Sequence, residues 1–186
     1  MISIKPEKGH LLVAEPSIFG DSSFSRSVIL IAEHSEDGTV GFVLNKTAGF
    51  SIRDLVAEFK QDWPVYNGGP VETDQLYFVH RRPDLIPDTL LISHDLYWGG
   101  DFNALVEHVN NGAIASDDIR FFLGYSGWDM NQLDEELKRN SWIVSENNFQ
   151  SELLTKVNEE FWRTKMLELG GTYPLWANAP ENPNLN

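Results

Sequence analysis

Residues 27–44, SVILIAEHSEDGTVGFVL, predict the centre of the fold. Val28–Ala32 is an unbroken apolar run, which is typical of a strand that is buried on both faces. The next segment, Ser35-Glu36-Asp37-Gly38, consists of turn-forming residues, and a second strand is predicted at Thr39–Leu44. The stretch therefore predicts a β-hairpin whose first strand lies in the middle of a sheet.

Further strands and helices are predicted on both sides of this hairpin. Strands are expected at His10–Glu15, Gln75–His80, Thr89–Ser93, Ile119–Leu123 and Ser141–Ser145. Helices are expected at 51–61, at 102–110 with Asp101 as N-cap, at 130–139, and at 149–169 with a break near Asn158. The mixture predicts a single α+β domain over residues 1–186 in which the tail, 171–186, is extended.

The start of the helix at 130–139 carries several capping signals. Asp129 is expected at the N-cap and Gln132 at the third helical position, which together form a capping box. Trp128 and Leu133 are placed for a hydrophobic staple. We therefore expect a sharp strand–turn–helix connection at this point, and a loss of about 1 kcal/mol in the Asp129→Ala variant.

Composition and charge exclude several classes of function. Fourteen Lys and Arg against 28 Asp and Glu give a net charge of −14 over 186 residues, which disfavours direct binding to nucleic acid or to an anionic membrane. The absence of cysteine excludes disulfides, thiolate nucleophiles and cysteine-based metal sites. The N-terminus has no apolar signal sequence, and the longest apolar run is too short to span a bilayer, so a cytoplasmic location is expected.

Two glycine-rich stretches could carry chemistry. Gly124-Tyr125-Ser126-Gly127-Trp128 resembles the turn that presents a hydrolase nucleophile, but that turn needs Gly-x-Ser-x-Gly and one spacer is missing here. Gly68-Gly69-Pro70 resembles a phosphate-binding loop but lacks its Lys and Ser/Thr. We favour a plain turn for both stretches.

Histidines and one arginine supply the remaining candidates. The five histidines show no metal-ligand spacing, so no metal or cofactor is assigned, although His34 and His80 lie at predicted strand ends. Arg26 lies between two serines and could bind a carboxylate or a phosphate. Because the chain has 28 acidic residues, an internal salt bridge is the use of Arg26 that we favour.

Several motifs together resemble those of the AlgH/YqgE family of bacterial proteins. They are Leu11-Leu12-Val13-Ala14-x-Pro16, Phe24-x-Arg26-Ser27-Val28, Glu33-His34, Gly38-x-x-Gly41-x-x-x-Asn45, Tyr66-x-Gly68-Gly69-Pro70-Val71, Gly124-Tyr125-Ser126-Gly127-Trp128, Gln132-Leu133-x-x-Glu136 and Trp142. The resemblance implies a mixed β-sheet with a barrel-like portion, surrounded by helices. It implies no secure activity, although the family is named for a proposed role in transcriptional regulation.

These observations predict a cytoplasmic binding or regulatory module with an unknown protein or small-molecule partner. Two alternatives stay open: a transcriptional regulator that acts through a protein partner, and a hydrolase that uses Ser126 or clustered histidines. The functional surface is expected where the matched segments meet, at Arg26, Ser27, His34, Asn45, Gly68, Gly69, Pro70, His80, Gly124, Tyr125, Ser126, Gly127 and Trp128.

Overall fold

The computed structural model describes residues 4–16 and 22–180, and it places ten strands and six α-helices in them. The strands are β1 (Leu11–Ala14), β2 (Val28–Ser35), β3 (Gly38–Val43), β4 (Thr47–Ser51), β5 (Pro64–Asn67), β6 (Val71–His80), β7 (Leu90–Ser93), β8 (Leu96–Trp98), β9 (Ile119–Asp129) and β10 (Trp142–Ser145). The helices are α1 (Ile52–Leu55), α2 (Phe102–Asn110), α3 (Gln132–Lys138), α4 (Leu153–Lys156), α5 (Phe161–Leu169) and α6 (Tyr173–Ala177). In these described ranges, no helix is long and apolar enough to cross a lipid bilayer.

All ten strands belong to one sheet, whose main path is β10-β1-β2-β3-β9-β6-β8-β7. Neighbours along this path are antiparallel. β9 is the central strand of the sheet. Along one of its edges it pairs with β6; along the other it pairs first with the parallel strand β5 and then, nearer its C-terminal end, with β3. β4 pairs with β5, which makes the sheet mixed. β7 comes back into contact with β2 without pairing to it, so the sheet curls but is not closed.

Apolar clusters lie on both faces of the sheet. On β9, Phe122 belongs to a cluster that includes β1, β2 and α5, whereas its neighbour Phe121 belongs to a cluster that includes α2. Adjacent strand residues point to opposite faces, so the sheet separates the two clusters. Helices contribute to both clusters, which fits the predicted α+β class.

The central hairpin, α2 and the break in the last long helix are confirmed. β2 lies between β1 and β3, and Val28–Ala32 is fully buried. The Asp101 carboxylate accepts a hydrogen bond from the N–H of Ala104 at 2.7 Å and so caps α2. Residues 149–169 contain α4 and α5 with a break around Asn158, whose side chain accepts from the N–H of Glu160.

The helix predicted at 51–61 is wrong in length, because α1 ends at Leu55. Its start carries the expected capping signal, since Ser51 and Asp54 bond reciprocally. Ser51 pairs with Pro64, so the chain between β4 and β5 must return to its starting point. A helix over 51–61 would carry the chain about 16 Å away, and the pairing of β4 with β5 therefore cuts it short.

The turn predicted at Gly124–Trp128 is also wrong, since these residues continue β9 to Asp129. Gly124 has φ +66° and lies at an irregularity in the pairing with β6, so the strand bends there without ending. Beyond the bend, Ser126–Asp129 pairs with Gly38–Gly41 of β3. Glycines that suggest a turn in the sequence therefore belong to a bent central strand.

The capping of α3 differs from the prediction for the same reason. Asp129 still belongs to β9, so Asn131 takes the N-cap position, at φ +63°, and no side chain caps the helix there. One half of the reciprocal arrangement is present, because the Gln132 side chain accepts from the N–H of Asp129 at 3.0 Å. Trp128 and Leu133, the predicted staple, belong to one apolar cluster.

The tail predicted to be extended over 171–186 contains α6 instead. Pro174 lies in the first turn of α6, where the missing N–H of proline costs no helical hydrogen bond. α6 packs against α5. The last part of that prediction, residues 181–186, lies outside the described residues.

Candidate functional site

A tight turn that leads into β2 joins three of the predicted surface residues, Arg26, Ser27 and Asn45. The N–H and the hydroxyl of Ser27 both donate to the carbonyl of Phe24, at 3.0 and 2.8 Å. Asn45 is buried; its Nδ2 donates to the Arg26 carbonyl at 2.9 Å and its Oδ1 accepts from the Val28 N–H at 2.8 Å. Arg26 has φ +54°, a conformation that costs an L-residue about 1–2 kcal/mol. These contacts hold Arg26 in an unfavourable backbone conformation.

An aromatic cluster also supports this turn. The Phe24 ring centroid lies 6.2 Å from that of Trp128 and 5.4 Å from that of Trp142. Both indole N–H groups donate to Glu136 Oε2, at 2.8 Å from Trp128 and 2.7 Å from Trp142. Trp128 therefore contributes to the Arg26 turn through packing, and Glu136 fixes the orientation of both indoles.

The Arg26 side chain lies at an open cavity of about 890 Å³ that is lined by this turn, residues 45–47, α5 and α6. Its guanidinium stacks over the Trp162 ring, 5.1 Å from the centroid, and donates to the Ala179 carbonyl at 2.6 Å. Among the described residues, the charged groups of the lining are Arg26, Lys46, Arg163, Glu159 and Glu160. We call this space the Arg26 cavity.

Arg26 and Arg163, the two arginines of the Arg26 cavity, form no ion pair with any residue that the structure describes. Within the described part of the chain, no carboxylate oxygen lies within 4.0 Å of a nitrogen of Arg26 or Arg163. Arg163 donates instead to Asn178 Oδ1 at 2.8 Å, and Glu159 accepts from the hydroxyl of Thr47 at 2.8 Å. The internal salt bridge predicted for Arg26 is therefore absent among the described residues, where the guanidinium contacts the Ala179 carbonyl and the Trp162 indole at the edge of the cavity.

Two backbone segments cross in close contact, at Gly68–Pro70 and at Gly124–Ser126. We call this contact the glycine crossing. A Cβ atom on Gly69 would lie 2.3 Å from the carbonyl carbon of Tyr125, and one on Gly124 would lie 2.7 Å from the Gly69 carbonyl oxygen. Ser126 is fully buried, and its hydroxyl donates to the Gly68 carbonyl at 3.0 Å. The backbones are thus in contact and leave no space for a ligand between them.

The other residues predicted in these stretches lie at the edges of the glycine crossing. The Tyr125 ring packs edge-on against Tyr77, with the centroids 5.6 Å apart. Gly127 pairs with Val40 of β3, and Pro70 is exposed.

His80 is fully buried and saturated with hydrogen bonds. Its Nδ1 accepts from the Arg82 N–H at 3.1 Å, so Nε2 carries the proton and faces Thr89 Oγ1 at 2.8 Å and the Gly99 carbonyl at 3.1 Å. Burial lowers the pKa of His80 to about 4, against the opposing effect of the hydrogen bond to Gly99. His80 is therefore a neutral structural residue at neutral pH.

The hydrolase alternative receives no geometric support. His34 Nδ1 lies 2.7 Å from Thr39 Oγ1, and neither His34 nor His80 is hydrogen-bonded to Ser126. Ser126 thus lacks the adjacent base that activates a serine nucleophile. Within residues 4–16 and 22–180, no group of three histidine or carboxylate side chains is placed to hold a metal ion.

Comparisons of the whole chain identify its relatives. The AlgH-like family model matches residues 11–174. The chain belongs to the AlgH-like family. A UPF0301 protein from Parabacteroides distasonis is 42% identical over 186 aligned residues, which cover 98% of this chain and 93% of that protein. A UPF0301 protein from Cytophaga hutchinsonii is 40% identical over 183 residues, which cover 96% of this chain and 98% of that protein.

Two solved structures share this AlgH-like fold. The crystal structure of a Corynebacterium diphtheriae protein has a TM-score of 0.77 at 25% identity and covers 96% of this chain and 95% of its own. The solution structure of the AlgH protein from Pseudomonas aeruginosa has a TM-score of 0.72 at 26% identity, with 97% and 98% of the two chains covered. Both matches extend over nearly the whole fold.

Sequence reasoning missed most of the Arg26 cavity in this AlgH-like chain. Of the predicted surface residues, only Arg26 and Asn45 line it, with Ser27 buried in the adjoining turn. Lys46 directly follows Asn45, and this adjacency was the one available signal. Glu159 and Arg163 lie more than a hundred residues further along the chain and carry no motif, so only the packing of α5 reveals them.

Proposed function

We propose that this protein is a cytoplasmic binding or regulatory module that holds the anionic group of a small ligand, a carboxylate or a phosphate, in the Arg26 cavity. The observation that carries the proposal is the presence of two arginines, Arg26 and Arg163, at a large open cavity with no carboxylate paired to either among the described residues. A guanidinium is the side chain best suited to carboxylate and phosphate, because its N–H groups form a planar fork.

The charge balance of the chain strengthens this argument. The net charge is −14, so a cation on the surface has many carboxylates available as partners. The Arg26 cavity nevertheless holds two arginines, Arg26 and Arg163, that have no carboxylate partner among the described residues. A carboxylate is a hydrogen-bond acceptor, so the side chains of Glu159 and Glu160 at this cavity lead us to expect a ligand with hydroxyl or amino groups beside its anionic group.

Isothermal titration calorimetry at low salt tests the proposal. Citrate and glycerol phosphate serve as the carboxylate and phosphate probes, and glycerol serves as the neutral counterpart of glycerol phosphate. We expect saturable binding of at least one anion and none of glycerol. Arg26→Gln and Arg163→Gln should each weaken that binding about 10-fold or more, since a hydrogen bond to a charged group contributes about 1.5–3 kcal/mol.

Arg53→Gln is the matched control. Arg53 pairs with Asp62 at 2.8 Å on the exposed surface and does not line the Arg26 cavity, so its loss removes one positive charge without touching the site. Binding should be unchanged in this variant. The proposal is wrong if no anion binds saturably, or if Arg53→Gln weakens binding as much as Arg26→Gln does.

A further inference from the structure

Arg120, like Arg26 and Arg163, has no carboxylate partner among the described residues, and it lies inside the fold on β9. It is only 5% exposed. Its Nη1 donates to the Leu44 carbonyl at 2.8 Å, and its Nη2 donates to the carbonyls of Leu154 and Val157, both at 2.9 Å. The guanidinium also stacks over the Tyr66 ring, 4.2 Å from the centroid. These contacts join the ends of β3 and α4 to the central strand.

The charge of Arg120 is not balanced by a counterion within the described residues. Taking a cation out of water costs several kcal/mol, which carbonyl dipoles offset in part. Burial accordingly lowers the pKa of Arg120, with Tyr66 opposing the shift, although a guanidinium stays protonated in proteins. A guanidinium has five N–H groups, and three hydrogen bonds to carbonyls leave two of them for another acceptor.

A pocket of about 240 Å³ opens onto Arg120. Its lining includes two aromatic residues, Trp63 and Tyr66, together with Ser116. This volume is smaller than the roughly 300–1,000 Å³ of pockets that hold drug-sized ligands, so it suits a molecule with one ring. We call this space the Arg120 pocket.

We propose that the Arg120 pocket binds a small aromatic carboxylate. The carboxylate accepts hydrogen bonds from the buried guanidinium and supplies the missing counterion, while the ring packs on the aromatic walls. A phosphate is a poorer match, because the pocket offers one cation and largely apolar walls. Among the described residues, the Arg120 pocket shares no lining residue with the Arg26 cavity, so the two sites can be tested independently.

Titration of the full-length protein with benzoate, followed by the backbone amide NMR signals, tests this proposal. We expect saturable shifts at residues around the pocket, such as Ser116 and Tyr66. Benzamide has nearly the same shape without the charge, and it should bind at least 10-fold more weakly. Equal binding of the two compounds, or no saturable shift at these residues with benzoate, would overturn the proposal.

Variants separate this site from both the fold and the Arg26 cavity. Ser116→Trp fills the pocket without removing Arg120 and should abolish the benzoate shifts, whereas Ala113→Trp, an exposed substitution outside the pocket, should leave them intact. Arg120→Lys keeps the charge but loses donors, and a folded variant should lose binding; if it fails to fold, Ser116→Trp decides. Benzoate binding that disappears in Arg26→Gln but survives in Ser116→Trp would refute the assignment to this pocket.

Discussion

The glycine crossing and the Arg26 cavity differ in whether their polar and charged groups find partners within the protein. At the crossing, Gly69 and Gly124 bring two backbones into contact, and the Ser126 hydroxyl is hydrogen-bonded to a buried carbonyl. At the cavity, Arg26 and Arg163 border about 890 Å³ of open space without a carboxylate partner among the described residues. The crossing has neither space nor spare donors for a ligand, and the cavity has both.

This difference separates the sequence signals of the closely packed crossing from those of the proposed binding site. The glycine-rich motifs are the most conspicuous in the chain, and they mark positions where backbones must approach closely. Of the cationic side chains of the cavity, Arg26 lies in a short motif, whereas Lys46 and Arg163 come from other segments and belong to none. We therefore expect substitutions at the crossing to change stability, and substitutions at the cavity to change binding.

The largest effect is expected for Gly124→Ala. A methyl group there would meet the carbonyl oxygens of Gly69 and Val71, both 2.7 Å from the Cβ position, at φ +66°. These oxygens belong to the backbone at the start of β6 and just before it, and they cannot shift without disturbing the pairing of β6 with β9. We therefore expect a loss of about 4 kcal/mol in the free energy of unfolding, or failure to fold. Urea denaturation measures the loss.

Gly99→Ala is the control for that substitution. Gly99 has φ +67°, but a Cβ there would have no neighbour within 4 Å. The Gly99→Ala variant should therefore lose only the free energy that a left-handed backbone conformation costs an alanine, about 1–2 kcal/mol. Equal losses in Gly99→Ala and Gly124→Ala would show that the crossing is not closely packed.

A smaller effect on stability is expected from the titration of His80. Like Ser126 at the glycine crossing, His80 is buried and hydrogen-bonded within the protein. The unfolded chain takes up a proton near pH 6.5 and the folded chain only near pH 4, so the unfolded state binds more protons between these values. Stability should therefore fall as the pH falls through this window, by about 3 kcal/mol from this group. Urea unfolding of the wild type and His80→Gln between pH 4 and 7 measures the difference.

The His80→Gln variant tests the role of this residue directly. It should be less stable than the wild type at neutral pH, and it should lose less stability on acidification because the group with the lowered pKa is gone. An NMR titration of His80 that gives an ordinary histidine pKa would contradict the assigned role.

The smallest effects come from Ser126→Ala and Asp129→Ala, and for Asp129→Ala the structure removes the reason for the loss of about 1 kcal/mol that the sequence predicts. Ser126→Ala leaves the Gly68 carbonyl without its buried hydroxyl donor and should cost about 1 kcal/mol. Asp129→Ala removes an exposed side chain at the end of β9 that does not cap α3, so no measurable loss is expected. Thermal melts of both variants check this order, and a clear loss in Asp129→Ala alone would restore the capping prediction.

Local patterns predicted those elements whose boundaries depend on neighbouring residues. Asp101 caps α2 through the N–H of Ala104, three residues away, and the turn at Ser35–Gly38 joins two adjacent strands. The helix at 51–61 failed because its length depends on the pairing of Ser51 with Pro64, which no local pattern contains.

The candidate site was predictable to a smaller extent than the fold. Arg26 and Asn45 were found because each lies in a short recognisable motif, although the favoured salt bridge of Arg26 is absent from the described residues. Arg120 looked like an ordinary strand residue. Its unpaired charge becomes visible only when α4 is placed over β9.

By itself, the sequence determined the family resemblance, the acidic charge, the α+β class and the central hairpin. Each of these depends on composition or on residues close together in the chain. The tertiary structure alone decided that Gly124–Trp128 is a strand, that Ser126 is buried, and that Arg26 and Arg163 share a cavity. The physical reason is that strand pairing, burial and charge compensation depend on which distant segments meet, and that outcome is set by the packing of the whole chain.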